Sequence, residues 1–353
     1  MERKIRVAQY GIGRMGSIIL KTMLDKGCEV VAAFARNPGQ IGRDAGEVAG
    51  IGELGIPVSD SADARAVLRS TKPDICLIAT KGTVAELEEA FMACIDSGVN
   101  ALTIGEEAFW PWTTAAAVAA RLDAAAKKAG VTLSASGYPD VFWGSMVTNV
   151  AGAMARVDRI HGVVMYDIDL YGSDFITGHG VGLTPEEFAA GLGRWRPEPG
   201  TVPCLPGDQN GWLCHELGLH VVDQTMCRKP KYSQHEIACR TTGETIAPGR
   251  VVGMSVSAET TTEEGLTIEL EVCGKLYEEG ETDGVVWKLS GVPDTEFEVR
   301  RPQTNILTCT TVVSRIPQVI AAPAGYATMD QLPPIRYTPG PLKLPEQEQD
   351  DET

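Results

Sequence analysis

Over the first 150 residues, short and almost unbroken apolar runs alternate with longer stretches in which apolar residues recur every three or four positions. The runs predict strands at 4–10, 29–35, 74–79, 99–104 and 131–135, and the stretches between them predict helices at about 14–26, 61–70, 83–97 and 113–129. This alternation predicts a doubly wound parallel sheet covered on both faces. Runs such as Ile75-Cys76-Leu77-Ile78-Ala79 and Val99 to Ile104 suit strands buried on both sides. A further helix is expected near 141–152. After that the pattern changes. Val157 to Asp167 reads as a strand, and Ser233 to Val299 alternates polar and apolar residues as antiparallel strands with one wet face do. Thr184, Pro185 and Glu187 form a helix start with a capping box. Trp195 to Gly211 is Pro/Gly-rich and reads as loop, and Trp212 to Thr225 and Thr304 to Ile320 have helical spacing.

The fold class expected is therefore α/β: an N-terminal Rossmann-type parallel sheet, then an α+β domain on a largely antiparallel sheet. At 353 residues two domains are the default. The boundaries expected are 1–137 for dinucleotide binding, 138–337 for substrate binding and dimerisation, and an acidic, disordered tail over 338–353. Charge narrows the partners. A formal net charge of -16 argues against nucleic acid or an anionic membrane. Part of it is local, with Glu346, Glu348, Asp350, Asp351 and Glu352 behind a Pro-rich segment. No signal peptide or spanning apolar run is visible, and nine cysteines without a Cys-x-x-Cys pair read as reduced thiols of a cytoplasmic protein. The five histidines lack ligand spacing, so no metal is expected.

Chemistry enters at the strand ends, where ligands bind in this class of sheet. The first strand feeds Gly11-Ile12-Gly13-Arg14-Met15-Gly16 and then a helix. Gly11 allows the tight turn, Gly13 a close approach to a pyrophosphate, and Gly16 close helix–strand packing, with the anion on the helix N-terminus. After the second strand comes Arg36-Asn37, with no acid where an NAD site usually places one. An arginine there suits a 2′-phosphate, so NADP(H) is favoured and NAD(H) stays open. Thr80-Lys81 follows the third strand and is expected near the nicotinamide. After the fourth come two adjacent carboxylates, Glu106 and Glu107, on an otherwise apolar exit. One is expected to exchange protons and the other to serve structure, for instance as a helix cap. Tyr138, Phe142 and Trp143 follow the fifth strand as a compact aromatic group, with Tyr166, Tyr171 and His179 further on.

Taken together, Tyr10 to Gly16, Gly42-Arg43-Asp44-Ala45-Gly46-Glu47, Asn100 to Glu107, Val181 to Phe188 and Ala321 to Met329 resemble the 2,4-diaminopentanoate dehydrogenases, whose N-terminal domain is of the dihydrodipicolinate reductase type. The segment Ala135-Ser136-Gly137-Tyr138-Pro139-Asp140-Val141-Phe142-Trp143 departs from the diamino-acid enzymes and is similar to the native amine dehydrogenases. The resemblance implies an NAD(P)H-dependent reductive amination of a ketone or aldehyde with ammonia; a homodimer is expected because a one-faced antiparallel sheet usually needs covering. It implies Glu106 as the catalytic carboxylate, with Glu107 still possible, and Tyr138, Trp143, Tyr166 and Tyr171 lining the pocket. Two alternatives remain: a 2,4-diaminopentanoate-type dehydrogenase, with Lys81 or an arginine holding the substrate carboxylate, and a non-catalytic, cofactor-sensing Rossmann protein. A sugar-type dehydrogenase is disfavoured, because acid replaces the lysine that chemistry usually carries after the fourth strand.

Overall fold

The computed structural model describes residues 3–196 and 204–344, and these form two compact units. The first comprises residues up to Phe109, Ala115–Gly137 and the chain from Thr308; the second comprises Trp110–Thr114 and Tyr138–Leu307.

In the first unit the chain runs β1 (Arg6–Tyr10), α1 (Arg14–Asp25), β2 (Glu29–Ala35), α2 (Ala45–Ala49), β3 (Val58–Asp60), α3 (Ala64–Thr71), β4 (Ile75–Ile78), α4 (Val84–Ile95), β5 (Asn100–Thr103), α5 (Ala116–Ala129) and β6 (Thr132–Ala135). Of the apolar runs expected to be doubly buried, every residue of β4 is buried, as are Ala101, Leu102 and Thr103 of β5, while Ala79, Asn100 and Ile104 are half-buried. Helix α1 presents Ile19, Leu20 and Met23 to the same core. Asp44 holds the short α2 segment by accepting four backbone N–H groups, from Gly46, Glu47, Leu54 and Ile56.

The second unit opens on a π-helical turn (Asp140–Ser145), followed by α6 (Met146–Gly152), β7 (Arg156–Asp167), α7 (Ser173–Gly178), α8 (Pro185–Ala190), α9 (Leu205–Glu216), β8 (Val221–Tyr232), β9 (Ile237–Ala238), β10 (Thr245–Ile246), β11 (Val251–Thr262), β12 (Thr267–Lys275), β13 (Gly284–Val292) and β14 (Thr295–Arg300). Its six-stranded sheet has the order β14-β13-β7-β12-β11-β8. It is antiparallel apart from the β7–β12 pair. The capping box at Thr184 and Glu187 is formed.

Helices α10 (Thr304–Ser314) and α11 (Ile316–Ala321) lead to β15 (Gly325–Ala327), which pairs in parallel with β6. The first unit's sheet is thus seven-stranded, in the order β15-β6-β5-β4-β1-β2-β3. This corrects the expected boundary at 337: residues from Thr308 belong to the dinucleotide unit, because β15 completes its sheet and Cys309, Val312, Val313, Ile316 and Val319 fill its core. The expected tail is corrected at its start as well. Leu342 is buried in that core, its N–H donates to the Lys26 carbonyl at 2.9 Å, and Pro341 lies against Gly27. The acidic residues from Glu346 onward lie outside the described residues.

A third correction concerns 195–225. Residues 205–211 are not loop but the start of α9, while 197–203 lie outside the described residues. Pro206 sits in the first turn of α9, where proline fits, and the glycines serve close packing. A Cβ on Gly207 would come 2.9 Å from Gln224 Oε1, and one on Gly211 2.9 Å from the Trp110 ring. The helix ends before Gly218, which adopts φ +68°, and the β-branched stretch from Val221 pairs with β11 instead of continuing the helix. No helix among the described residues is long and apolar enough to cross a membrane. All nine cysteines are free thiols.

Candidate functional site

In the first unit, strand order reverses between β4 and β1, and the glycine motif follows β1 directly. Gly11 adopts φ +95°, which disfavours any other residue. A Cβ there would lie 2.6 Å from the Ala79 carbonyl oxygen, across the switch point. A Cβ on Gly16 would lie 2.0 Å from the Gly11 carbonyl, so that glycine is demanded by the protein's own packing. Gly13 differs. It is exposed, a Cβ would meet nothing within 4 Å, and no side chain caps the helix end it begins. The protein's interior does not require a glycine at that position, whereas an approaching pyrophosphate does. These residues fit a dinucleotide.

The rest of this strand edge carries Arg36, Asn37, Thr80 and Lys81, all exposed beyond β2 and β4. Asn37 accepts the Gly39 N–H at 3.0 Å, and Lys81 lies 3.6 Å from Glu86. Two supports of the loop escape sequence reading. Buried Gln9 donates to the Gly11 carbonyl at 2.9 Å, and Gln40 donates to the Ile12 carbonyl at 3.1 Å. Both are ordinary glutamines in ordinary positions, with no local pattern to mark them.

The two carboxylates differ in their surroundings. Thr103 ties the β4 and β5 ends together, donating to the Ile78 carbonyl at 3.0 Å while accepting the Gly105 N–H at 3.0 Å. Gly105 presses on the loop after β4, where a Cβ would lie 2.9 Å from the Lys81 carbonyl. Glu107 is buried, its own N–H donates to the Gly82 carbonyl at 3.0 Å, and its carboxylate accepts the Val84 N–H at 2.6 Å. It therefore carries negative charge at the N-terminus of α4. Beside it, Tyr326 donates to the Ala108 carbonyl at 2.8 Å, and burial followed by the Glu107 charge pushes the phenol's pKa upward. Glu106 points elsewhere. It is exposed, yet the surrounding protein desolvates the carboxylate and raises its pKa above the ordinary 4.5.

In the second unit the aromatic residues form two clusters. Tyr138 stacks on Phe142 with centroids 4.4 Å apart and meets Trp143 edge-on at 6.0 Å. The π-helical turn that carries them is held from both sides: Trp287 donates to the Phe142 carbonyl at 3.0 Å and Gln209 to the Trp143 carbonyl at 3.3 Å. Burial, then the negative charge of Asp283, raises the Tyr138 pKa. In the other cluster, Tyr166 meets Tyr171 edge-on at 5.4 Å, Tyr171 stacks on Phe175 at 5.0 Å, and Phe175 stacks on His179 at 5.7 Å. Phe175 was not among the expected site residues; its signal was the four-residue spacing of 171, 175 and 179 about α7. Among the described residues no group of three or more His, Cys, Asp or Glu is placed to hold a metal ion.

Residues 142–340, more than half the chain, match the family model described as the 2,4-diaminopentanoate dehydrogenase C-terminal domain. The chain belongs to that family. In this member of the 2,4-diaminopentanoate dehydrogenase family, residues 5–105 match the dihydrodipicolinate reductase N-terminus. It is 23% identical to the 2,4-diaminopentanoate dehydrogenase of Acetoanaerobium sticklandii, over 96% of each chain. The structure of the amine dehydrogenase from Mycobacterium smegmatis is 37% identical, with a TM-score of 0.87 over 96% of this chain and 98% of its own. A local match, 45% identical over 74 residues, links 20% of this family member to 27% of the 4-hydroxy-tetrahydrodipicolinate reductase of Methanocaldococcus jannaschii.

Proposed function

We propose that this chain is an NAD(P)H-dependent amine dehydrogenase that reductively aminates a ketone or aldehyde with ammonia. The division of labour between adjacent carboxylates carries the reading. Glu107 is engaged as a buried cap, while Glu106 is open to solvent with a raised pKa, at the strand edge of a dinucleotide-type sheet. Likeness over nearly its whole length to the Mycobacterium smegmatis amine dehydrogenase supports it.

In this reading Gly11 to Gly16 hold the pyrophosphate, Thr80 and Lys81 flank the nicotinamide side, and Arg36 with Asn37 faces the adenosine ribose. Arginine favours a 2′-phosphate and hence NADP(H). When bound, the reduced nicotinamide supplies the hydride that reduces the iminium carbon. Glu106, as carboxylate, takes a proton from ammonium and so frees ammonia to attack the carbonyl carbon. It returns that proton to the carbinolamine hydroxyl as it leaves as water. One ammonium, one carbonyl and one reduced cofactor thus give one amine, one water and one oxidised cofactor. Within the second unit, the rings of Tyr166, Tyr171 and Phe175 offer apolar surface and π-faces of the kind that favour a cation.

A second reading, a diamino-acid dehydrogenase, has one observation in its favour besides the Acetoanaerobium relative. Arg228 is half-buried over the Trp195 ring at 4.2 Å and makes no ion pair among the described residues, as a carboxylate-binding arginine would. The test is NADPH oxidation in ammonium buffer over small ketones, aldehydes and 2- or 4-oxo acids, with NADH in parallel. Turnover of uncharged carbonyls supports the first reading. Turnover confined to amino-oxo acids returns the chain to the diamino-acid reaction. Tight NADPH binding without ammonia-dependent turnover of any of them overturns both.

A further inference from the structure

The tyrosines of the second unit are tied into hydrogen-bond chains whose direction is fixed at the far end. Asp283 is buried, and one of its carboxylate oxygens accepts the N–H of Thr304 at 3.1 Å and the Thr304 hydroxyl at 2.8 Å. A carboxylate only accepts, so the single hydroxyl proton of Thr304 is committed to Asp283. Tyr171 Oη lies 2.7 Å from that same hydroxyl oxygen. Thr304 has no second proton to give, so Tyr171 is the donor. The other chain has the same logic. His179 Nδ1 lies 2.7 Å from the Phe175 carbonyl oxygen, which only accepts, so the ring proton sits on Nδ1. Burial lowers the His179 pKa, which keeps the ring neutral and leaves a lone pair on Nε2. Tyr166 Oη lies 2.8 Å from that Nε2 and donates to it.

Each phenol proton thus points back into the protein. A ligand that reaches these half-buried rings meets phenol oxygens as acceptors, alongside the π-faces of Tyr171 and Phe175. We propose that Tyr166 and Tyr171 form a donor-selecting subsite, which receives an ammonium, amine or hydroxyl group of the substrate and turns away a carboxylate or carbonyl oxygen, and that Thr304 and Asp283 are the positioning residues that set this polarity. The inference rests on the amine dehydrogenase reading for its substrate class, but the polarity itself is a property of the chain.

The decisive comparison is Thr304→Val against Thr304→Ser, with Tyr171→Phe as a third variant. Valine keeps the backbone N–H and the shape but removes the hydroxyl, which returns the Tyr171 proton to the ligand side. Serine keeps the chain intact. Titration calorimetry with pentan-2-ammonium and with pentanoate, on the full-length protein, gives a ratio of two dissociation constants for each variant. Thr304→Val should shift that ratio at least tenfold toward pentanoate, Thr304→Ser should leave it as in wild type, and Tyr171→Phe should weaken ammonium binding without improving pentanoate. Equal ratios for the valine and serine variants, both folded by melting temperature, overturn the proposal. So does a shift in Tyr171→Phe as large as that in Thr304→Val. Because binding is read without turnover, the expected pattern in a protein that turns over no carbonyl would uphold the subsite and reject the enzymatic reading. Turnover of 2-pentanone with equal ratios would do the reverse.

Discussion

Removing each of the two adjacent carboxylates in turn should injure the protein in opposite ways. Glu107→Ala deletes a buried group that accepts the Val84 N–H at 2.6 Å. A lost charge-assisted hydrogen bond of this kind costs about 1.5–3 kcal/mol. Loss of negative charge at the α4 N-terminus adds about 0.3–1 kcal/mol. The sum, roughly 2–4 kcal/mol, corresponds to a melting temperature lower by about 5–15 °C in a unit of this size. Glu106→Gln removes a charge that desolvation disfavours, from a side chain that the solvent still reaches, and should leave the melting temperature unchanged or raise it. Its turnover should fall at least ~100-fold, the scale of a lost general acid–base. Differential scanning calorimetry and ammonia-dependent NADPH oxidation on both variants give the comparison. The acidic limb of kcat/KM in the wild type should lie above the ordinary glutamate value, because Glu106 must be ionised and its pKa is raised. If Glu107→Ala melts like wild type and has lost turnover while Glu106→Gln keeps the wild-type rate, the division of roles is wrong.

Three further outcomes follow from the same geometry. Gly13→Ala should leave the melting temperature of the cofactor-free protein unchanged while weakening NADPH binding, whereas Gly16→Ala, with its Cβ 2.0 Å from a carbonyl oxygen, should fail in both respects; an unstable Gly13→Ala would contradict the first. Arg36→Ala should raise the KM for NADPH at least ~10-fold and leave NADH nearly untouched, since one charge-assisted contact is lost only with the 2′-phosphate; equal losses for both cofactors would remove the arginine from that role. Asp169 is buried, which opposes its ionisation, but hydrogen bonds from Thr241 and Arg240 hold its pKa down to about 2. Its folded-state pKa is depressed, so its stabilisation of roughly 2 kcal/mol is present above pH ~4 and lost as pH falls from there toward 2. Urea denaturation of wild type and Asp169→Asn between pH 7 and pH 2.5 should show the wild type losing this difference only below pH ~4; a parallel loss in the variant would assign it elsewhere.

The parallel sheet was legible because its strands are buried on both faces and so consist of short apolar runs, as at Ile75–Ile78. Strands β3 and β15 escaped notice because each is only three residues long and is defined by its neighbour instead of its own pattern. The glycine motif was readable since Gly16 answers the Gly11 carbonyl five residues back, and Gly11 answers the positive φ of its own tight turn. Residues 205–211 misled for a related reason: Gly207 and Gly211 answer demands set by Gln224 and Trp110, far away in sequence, so they look like loop glycines. The pair Glu106-Glu107 drew attention as two acids on an apolar strand exit, but which of them meets the α4 N-terminus depends on where the Val84 N–H lies, and no spacing encodes that. Thr304 and Asp283, like Gln9 and Gln40, act through contacts that only the folded chain reveals.

The pairing of β15 with β6 sets a schedule for the growing polypeptide. Tyr326 reaches back to Asp123 through its N–H at 2.9 Å, and Ser134 donates to the Ala327 carbonyl at 2.7 Å. These bonds cannot form until the ribosome has made everything in between. At about 5–20 residues per second, the stretch from Ala135 to Gly325 takes roughly 10–40 s to synthesise. For that interval the parallel sheet has an open edge at β6 and lacks the apolar side chains of α10 and α11. All residues of the inserted unit are made before its host is complete, and a stop codon just short of Gly325 would leave a whole second unit on a first unit that lacks its last strand.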